Sequence, residues 1–194
     1  MQAPQDVQNW QIGQPATNKA GGKTASILDG EGGPVVFTTN VLRCPFDAVG
    51  YNDPDATRVN LCLEADTALA DWCRHLDATI IPMVQKRSSA LFGKNVPEAD
   101  LRANYFSPIK ENEKYASSLF KNKMNKVGRG AVRIWNKGGM PREAPENWQD
   151  LQVQARVVLK SLWIQSRNWG LTFEVADAMI CSEAAAAACP FSTE

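Results

Sequence analysis

Residues Leu151–Cys181 read LQVQARVVLKSLWIQSRNWGLTFEVADAMIC. Leu151 to Gln165 and Leu171 to Cys181 are both strand-like, and Ser166-Arg167-Asn168-Trp169-Gly170 between them has turn chemistry. The pattern predicts a long β-hairpin with Trp169 and Gly170 at its tip. A tryptophan there has two explanations: it stacks on a ligand, or it folds back onto the sheet.

Working outward, more strands precede the hairpin. Pro34 to Phe46 (PVVFTTNVLRCPF) is β-branched and aromatic, bounded by Gly33 and Pro45. Arg58 to Glu64 alternates, with Val59, Leu61 and Leu63 on one face and Arg58, Asn60, Cys62 and Glu64 on the other. Tyr115 to Met124 places Leu119, Lys121 and Lys123 on one side and Phe120, Asn122 and Met124 on the other. After a glycine turn at Val127 to Gly130, Ala131 to Asn136 sets Arg133 and Trp135 on the face opposite Val132 and Ile134. One helix interrupts the strands. Asp66 caps it, and Leu69, Trp72, Cys73, Leu76 and Ile80 form its apolar stripe. Pro82 stops or kinks it, with Met83 to Phe92 a second short helix before Gly93. Asp47 to Thr57, Lys94 to Glu113 and Lys137 to Asp150 read as loops.

Two ends flank this body. Residues 1–33 are rich in Gln, Asn, Gly, Ala and Pro and read as a flexible arm on which Trp10 docks locally. Gly21-Gly22-Lys23-Thr24 resembles the end of a phosphate loop. Thr17 occupies its first glycine position, however, and no strand precedes it. Residues 183–194 form a mildly acidic, alanine-rich tail. The domain proper is thus expected over 34–182. Its order is strand, strand, helix, strand, strand, strand. Five strands and one amphipathic helix, placed between the second and third strands, fit a mainly β, OB-fold-like barrel.

Composition narrows the function. Lys and Arg balance Asp and Glu at 21 each, yet Lys114 to Lys137 holds seven cations and no acid, with Tyr115, Phe120 and Trp135 among them. Cations interleaved with aromatics suit single-stranded nucleic acid, charge for the phosphates and flat faces for the bases. A solvated basic face is the plain alternative. His75 is the sole histidine, which removes most zinc sites and catalytic triads. Asp47, Asp53 and Asp55 lack the ligand spacing of a calcium loop, and no metal or cofactor is expected. The five cysteines are odd in number and contain no C-x-x-C pair, as in a reduced intracellular protein. Neither a signal peptide nor a membrane-length apolar run is apparent.

The expected nucleic-acid site is therefore Lys121, Lys123, Lys126, Arg129 and Arg133 for phosphates, with Trp135, Trp169 and Tyr115 for bases and Arg167 at the hairpin tip. A β-rich scaffold of a virion or replication complex, using the same basic face on an acidic partner, is the alternative. An Asp47/Asp53/Asp55 metal nuclease is a third reading, without the lysine or histidine that such sites place beside their carboxylates.

Over residues 34–182 the chain resembles the OB-fold single-stranded DNA-binding proteins of tailed-phage replication, with relatives in large DNA viruses. The residues that carry this are V-N-L-C-L (Val59 to Leu63) leading into the capped helix, L-F-K-N-K (Leu119 to Lys123), and the final hairpin. The resemblance implies coating of single-stranded DNA in replication, recombination and repair, without catalysis. It also implies a terminal aromatic tail, here Phe191 and Glu194, that occupies the groove or recruits a polymerase or helicase. A homodimer belongs to the same picture. This chain departs from the pattern in having few acids in that tail.

Overall fold

The hairpin exists and is longer than its sequence signal. In the computed structural model, which describes residues 1, 4, 6–19, 21–50, 53, 55–111 and 117–182, its strands pair antiparallel from Gln152↔Ser182 to Gln165↔Asn168. Only Ser166 and Arg167 make the turn, with Ser166 in the left-handed region at φ 58°. Trp169 and Gly170 are therefore strand residues, not tip residues.

In chain order the elements are a 3₁₀ turn (Val7–Asn9), β1 (Gln11–Ile12), β2 (Ala16–Thr17), β3 (Lys23–Leu28), β4 (Val35–Arg43), β5 (Arg58–Glu64), α1 (Thr67–Lys86), α2 (Ser88–Phe92), α3 (Glu98–Ala103), β6 (Tyr105–Phe106), β7 (Ile109–Lys110), β8 (Leu119–Asn125), β9 (Arg133–Asn136), β10 (Gln152–Gln165) and β11 (Asn168–Ser182). The protein is mainly β. Eleven strands among the described residues join one sheet whose main path is β1-β3-β10-β11-β8-β5. No ladder joins β4 to β5, so the sheet is not closed.

Bulges in the hairpin explain how one strand serves several partners. β10 pairs β4 from Gln152 to Leu159, then β3 from Ser161 to Ile164. The change of partner falls where the register slips between Leu159 and Ser161, leaving Lys160 as the extra residue. A bulge of this kind bends and twists the strand, and here it turns the sheet from one partner to the next. A second slip leaves out Ala176, because Arg156 pairs Asp177 while Val157 pairs Val175. That slip keeps Asp177 on the outer face.

The arm reading is corrected. Residues 11–28 supply three strands, and Val7, Trp10, Ile12, Ala25 and Ile27 are buried. Short alternating pieces interrupted by Gly and Asn hid this, since each is too brief to show a period. With these strands ahead of it, the helix follows the fifth strand rather than the second. α1 itself keeps its expected cap and stripe. Asp66 accepts from the Leu69 amide at 2.8 Å, and Leu69, Trp72, Cys73, Leu76, Ile80 and Val84 are buried. It runs through Pro82 to Lys86, so of the two expectations for Pro82 the stop does not occur, and α2 is confined to Ser88–Phe92 before Gly93 at φ 77°. α3 lies in what reads as loop. Buried Leu101 anchors it, and an Arg102–Glu98 pair one turn apart (2.6 Å) supports it. The core joins α1 to the sheet through an aromatic cluster: Trp72 packs 4.6 Å from Phe37 between ring centroids, and Phe120 lies 5.2 Å from Phe173.

Candidate nucleic-acid interface

The alternation of β5 and β8 sends Val59, Leu61, Leu63, Phe120 and Met124 into the core, which leaves Arg58, Asn60, Cys62, Lys121 and Lys123 on the outer face. The ladder sets Cys62 opposite Lys121 and Asn60 opposite Lys123. β11 adds Glu174 beside Lys123. Lys110 arrives from β7, which pairs with the start of β8.

The cations of this face fall into two groups. Glu174 pairs with Arg58 at 3.4 Å and Lys160 at 3.7 Å. Asp177 pairs with Arg133 at 2.8 Å and Arg156 at 3.2 Å. These four cations share two carboxylates, so their charge is half compensated within the protein. Lys110, Lys121 and Lys123 have no carboxylate partner among the described residues, and Lys123 donates to Asn60 Oδ1 at 2.8 Å. Partial burial, then Lys121 and Arg58, hold the Lys123 ammonium below its ordinary pKa. Burial raises the Cys62 thiol, and the charges of Lys121 and Lys110 oppose that rise. A phosphate arriving here meets clustered positive charges and relieves their mutual repulsion.

Beside the three lysines stands an aromatic pair. Phe106 is 48% exposed, and its ring centroid lies 5.7 Å from that of half-buried Trp163. Gly170 permits this closeness, because a Cβ there would lie 2.8 Å from the Phe106 carbonyl oxygen and 2.9 Å from the Trp163 ring. Together Phe106, Trp163, Lys110, Lys121, Lys123 and Thr172 line a cleft of about 270 Å³. Flat apolar faces next to unpaired ammonium groups provide both components of single-strand binding.

The residues expected for this role divide sharply. Lys121 and Lys123 are in the cleft. Lys126 and Arg133 line a separate cavity of about 790 Å³ with half-buried Trp135, Trp148, Val49 and Arg142. Trp135 and Arg133 do lie together, with the guanidinium 6.0 Å from the ring centroid, but both are tied to Asp177, the indole Nε1 donating to it at 3.0 Å. Arg129 and Arg167 are exposed on turns. Trp169 is excluded as a stacking residue, since it is fully buried, donates Nε1 to the Leu101 carbonyl at 2.8 Å and packs 4.5 Å from Tyr105. Tyr115, Phe191 and Glu194 lie outside the described residues. Of the metal-site candidates, Asp47 accepts the Ala48 and Trp148 amides and Asp53 accepts that of Asp55.

Sequence reading missed Phe106, Lys110 and Trp163. Trp163 carried a signal, as it falls between buried Leu162 and Ile164 and so occupies the polar phase of β10. Phe106 carried none, because its two-residue strand sits in a segment broken by Pro97 and Pro108.

No protein-family model matches the sequence, and no curated protein matches it. Solved structures align with it over most of their length at low identity. The single-stranded DNA-binding protein from bacteriophage Enc34, in complex with ssDNA, aligns with a TM-score of 0.46 and 11% identity, covering 90% of this chain and 93% of that one. Gp2.5, a single-stranded DNA-binding protein encoded by bacteriophage T7, aligns with a TM-score of 0.49 and 12% identity, covering 82% of this chain and 98% of that one.

Proposed function

We propose that this chain is a non-catalytic single-stranded DNA-binding protein acting inside the cell, largely independent of sequence, in replication, recombination and repair. The observation that supports it is the juxtaposition of the exposed Phe106–Trp163 pair with the carboxylate-free lysines 110, 121 and 123. Bases stack on the rings while the ammonium groups neutralise phosphates. The bent, bulged sheet serves as an OB-type binding surface. Lys126, Arg133 and Trp135 extend the track past the end of β8. From Gly170, beneath the aromatic pair, to Asp177, which holds Arg133, is seven strand residues, or about 23 Å. No helix among the described residues is long and apolar enough to cross a membrane.

The test is tryptophan-fluorescence titration with oligo-dT, oligo-rU and duplex DNA at several salt concentrations. Tight, salt-sensitive binding of oligo-dT with weak duplex binding supports the reading. Absence of oligo-dT binding at low salt removes it and returns the basic face to a protein partner.

A further inference from the structure

The outer face of β11 carries two aromatic sites along one line. Gly170, Thr172 and Glu174 lie outward because Leu171, Phe173 and Val175 are buried. The slip at Ala176 keeps Asp177 and Met179 outward as well, while Ala178 and Ile180 are buried. Pairing sets Phe106 and Trp163 on either side of Gly170. It sets Arg133 beside Asp177 and Trp135 beside Met179. The Trp135 indole Nε1 reaches back to Asp177 Oδ1 at 3.0 Å, so this ring stands on the same outer face. Half-buried Trp135 also lines the cavity of about 790 Å³, which has room for a base. Lys123, which no carboxylate pairs among the described residues, lies between the two sites beside Glu174.

We infer that one strand engages both sites at once, with one base on Phe106–Trp163 and another against Trp135, an inference that rests on the single-strand-binding function proposed above. The strand residues from Gly170 to Asp177 set the separation at about 23 Å. Stacked DNA advances ~3.4 Å per nucleotide along each strand, so about eight nucleotides span that distance. A strand opened to about twice that rise needs about five, within the ~4–16 nucleotides that an OB surface covers. Three adjacent nucleotides fall short. Each of their two steps would have to cover about 11 Å, more than three times the stacked rise. The ligand is therefore selected by length: a shorter strand occupies one site or the other, and a longer one makes the second contact intramolecular. Arg133 already lies 6.0 Å from the centre of the Trp135 ring, and Asp177 already holds its Nε1. A base there changes the indole's surroundings less than one at Trp163.

The experiment uses two eight-residue strands of equal charge, each with three thymines and five abasic residues. In the split strand the abasic residues separate two thymines from the third; in the other the three thymines are adjacent. Each competes at low salt with a labelled oligo-dT of eight nucleotides, on the wild-type protein and on Trp135→Leu. On wild type the split strand should compete about tenfold better, the order of one stacked base. On Trp135→Leu the two should compete equally. The wild-type comparison stands even where the variant fails to fold. Equal or better competition by the adjacent strand on wild type overturns the inference. So does failure of both strands to compete where oligo-dT itself binds, or survival of the preference in folded Trp135→Leu. Failure of oligo-dT to bind at all removes the underlying function instead, so the two failures are distinguishable.

Discussion

The Asp77 carboxylate of α1 accepts the Tyr105 hydroxyl through Oδ1 at 2.6 Å. Its second oxygen accepts the Ser107 hydroxyl, also at 2.6 Å. Tyr105 and Ser107 are the residues on either side of Phe106, so one carboxylate on the helix fixes both shoulders of the exposed ring. The helix that closes the core thereby also sets the position of an aromatic on the opposite side of the sheet edge.

Removing that clamp should loosen Phe106 before it unfolds the protein. Asp77→Ala is expected to cost about 2 kcal/mol, the scale of hydrogen bonds to a charged group, and to weaken oligo-dT binding several-fold. Asp77→Asn should fall between the two. Burial raises the Asp77 pKa, and the Ser107 and Tyr105 hydrogen bonds only partly oppose it. The folded state then holds the proton more tightly than the unfolded state. This group's contribution improves as pH falls through its folded pKa and is lost as pH rises through it. Chemical denaturation of wild type and Asp77→Asn across the acidic range reads that sign.

Phe106 and Trp163 should carry the stacking energy. Stacking is worth roughly 1–3 kcal/mol per base, so Trp163→Ala or Phe106→Ala should weaken oligo-dT binding by about tenfold. Gly170→Ala should mimic them, because its Cβ meets both the Trp163 ring and the Phe106 backbone at under 3 Å. Unchanged affinity in a Phe106→Ala/Trp163→Ala double variant would remove the platform.

The lysines should set the salt dependence. Three phosphate contacts by Lys110, Lys121 and Lys123 predict a slope of about −2 for log affinity against log salt, at about −0.7 per contact on a single strand. Each Lys→Gln change should flatten it by about 0.7. Arg58→Gln should alter the slope less, since Glu174 already pairs with that guanidinium.

Trp169 should behave as core. Trp169→Phe keeps a ring against Tyr105 but leaves the Leu101 carbonyl without its indole donor, and a loss of about 1–2 kcal/mol is expected. Quenching of tryptophan fluorescence by oligo-dT should persist in Trp169→Phe and largely disappear in Trp163→Phe. The reverse result would reinstate Trp169 as the stacking residue.

The hairpin, β5 and the helix cap were legible because each is a local pattern. Alternation over Arg58–Glu64 survives as β5 without a shifted residue, and Asp66 caps as its side-chain chemistry requires. What stayed hidden depends on pairing at long range. Trp169 reads as exposed only while the turn is thought to span five residues. Its true environment is made by Leu101 and Tyr105, more than 60 positions away. The basic stretch was found for its charge, but charge alone does not show which cations are already paired. Arg133 proved to be held by Asp177, 44 positions away, and Lys110, outside that stretch, proved to belong to the cleft.

Asp177 should restrain nucleic-acid affinity while supporting the fold. Burial alone would raise its pKa, but hydrogen bonds from Arg133, Trp135 and Arg156 outweigh it and hold the carboxyl below its ordinary value. The sign is therefore opposite to that of Asp77: its stabilising contribution is complete above the unfolded carboxylate pKa of about 3.9 and is lost as pH falls through the lower folded value. Asp177→Asn removes the charge that pairs Arg133 and Arg156 while leaving a side-chain oxygen for the Trp135 indole. It should melt below wild type at neutral pH, with the difference shrinking as the wild-type carboxyl protonates below about pH 4. Freed of that carboxylate, the two guanidiniums become available to phosphate. Oligo-dT affinity at low salt should then rise, and the salt slope should steepen by up to about 0.7 per added contact. Weaker binding by a folded Asp177→Asn protein would show instead that Asp177 orients Arg133 and Trp135 for the strand, and that their pairing is part of the binding surface.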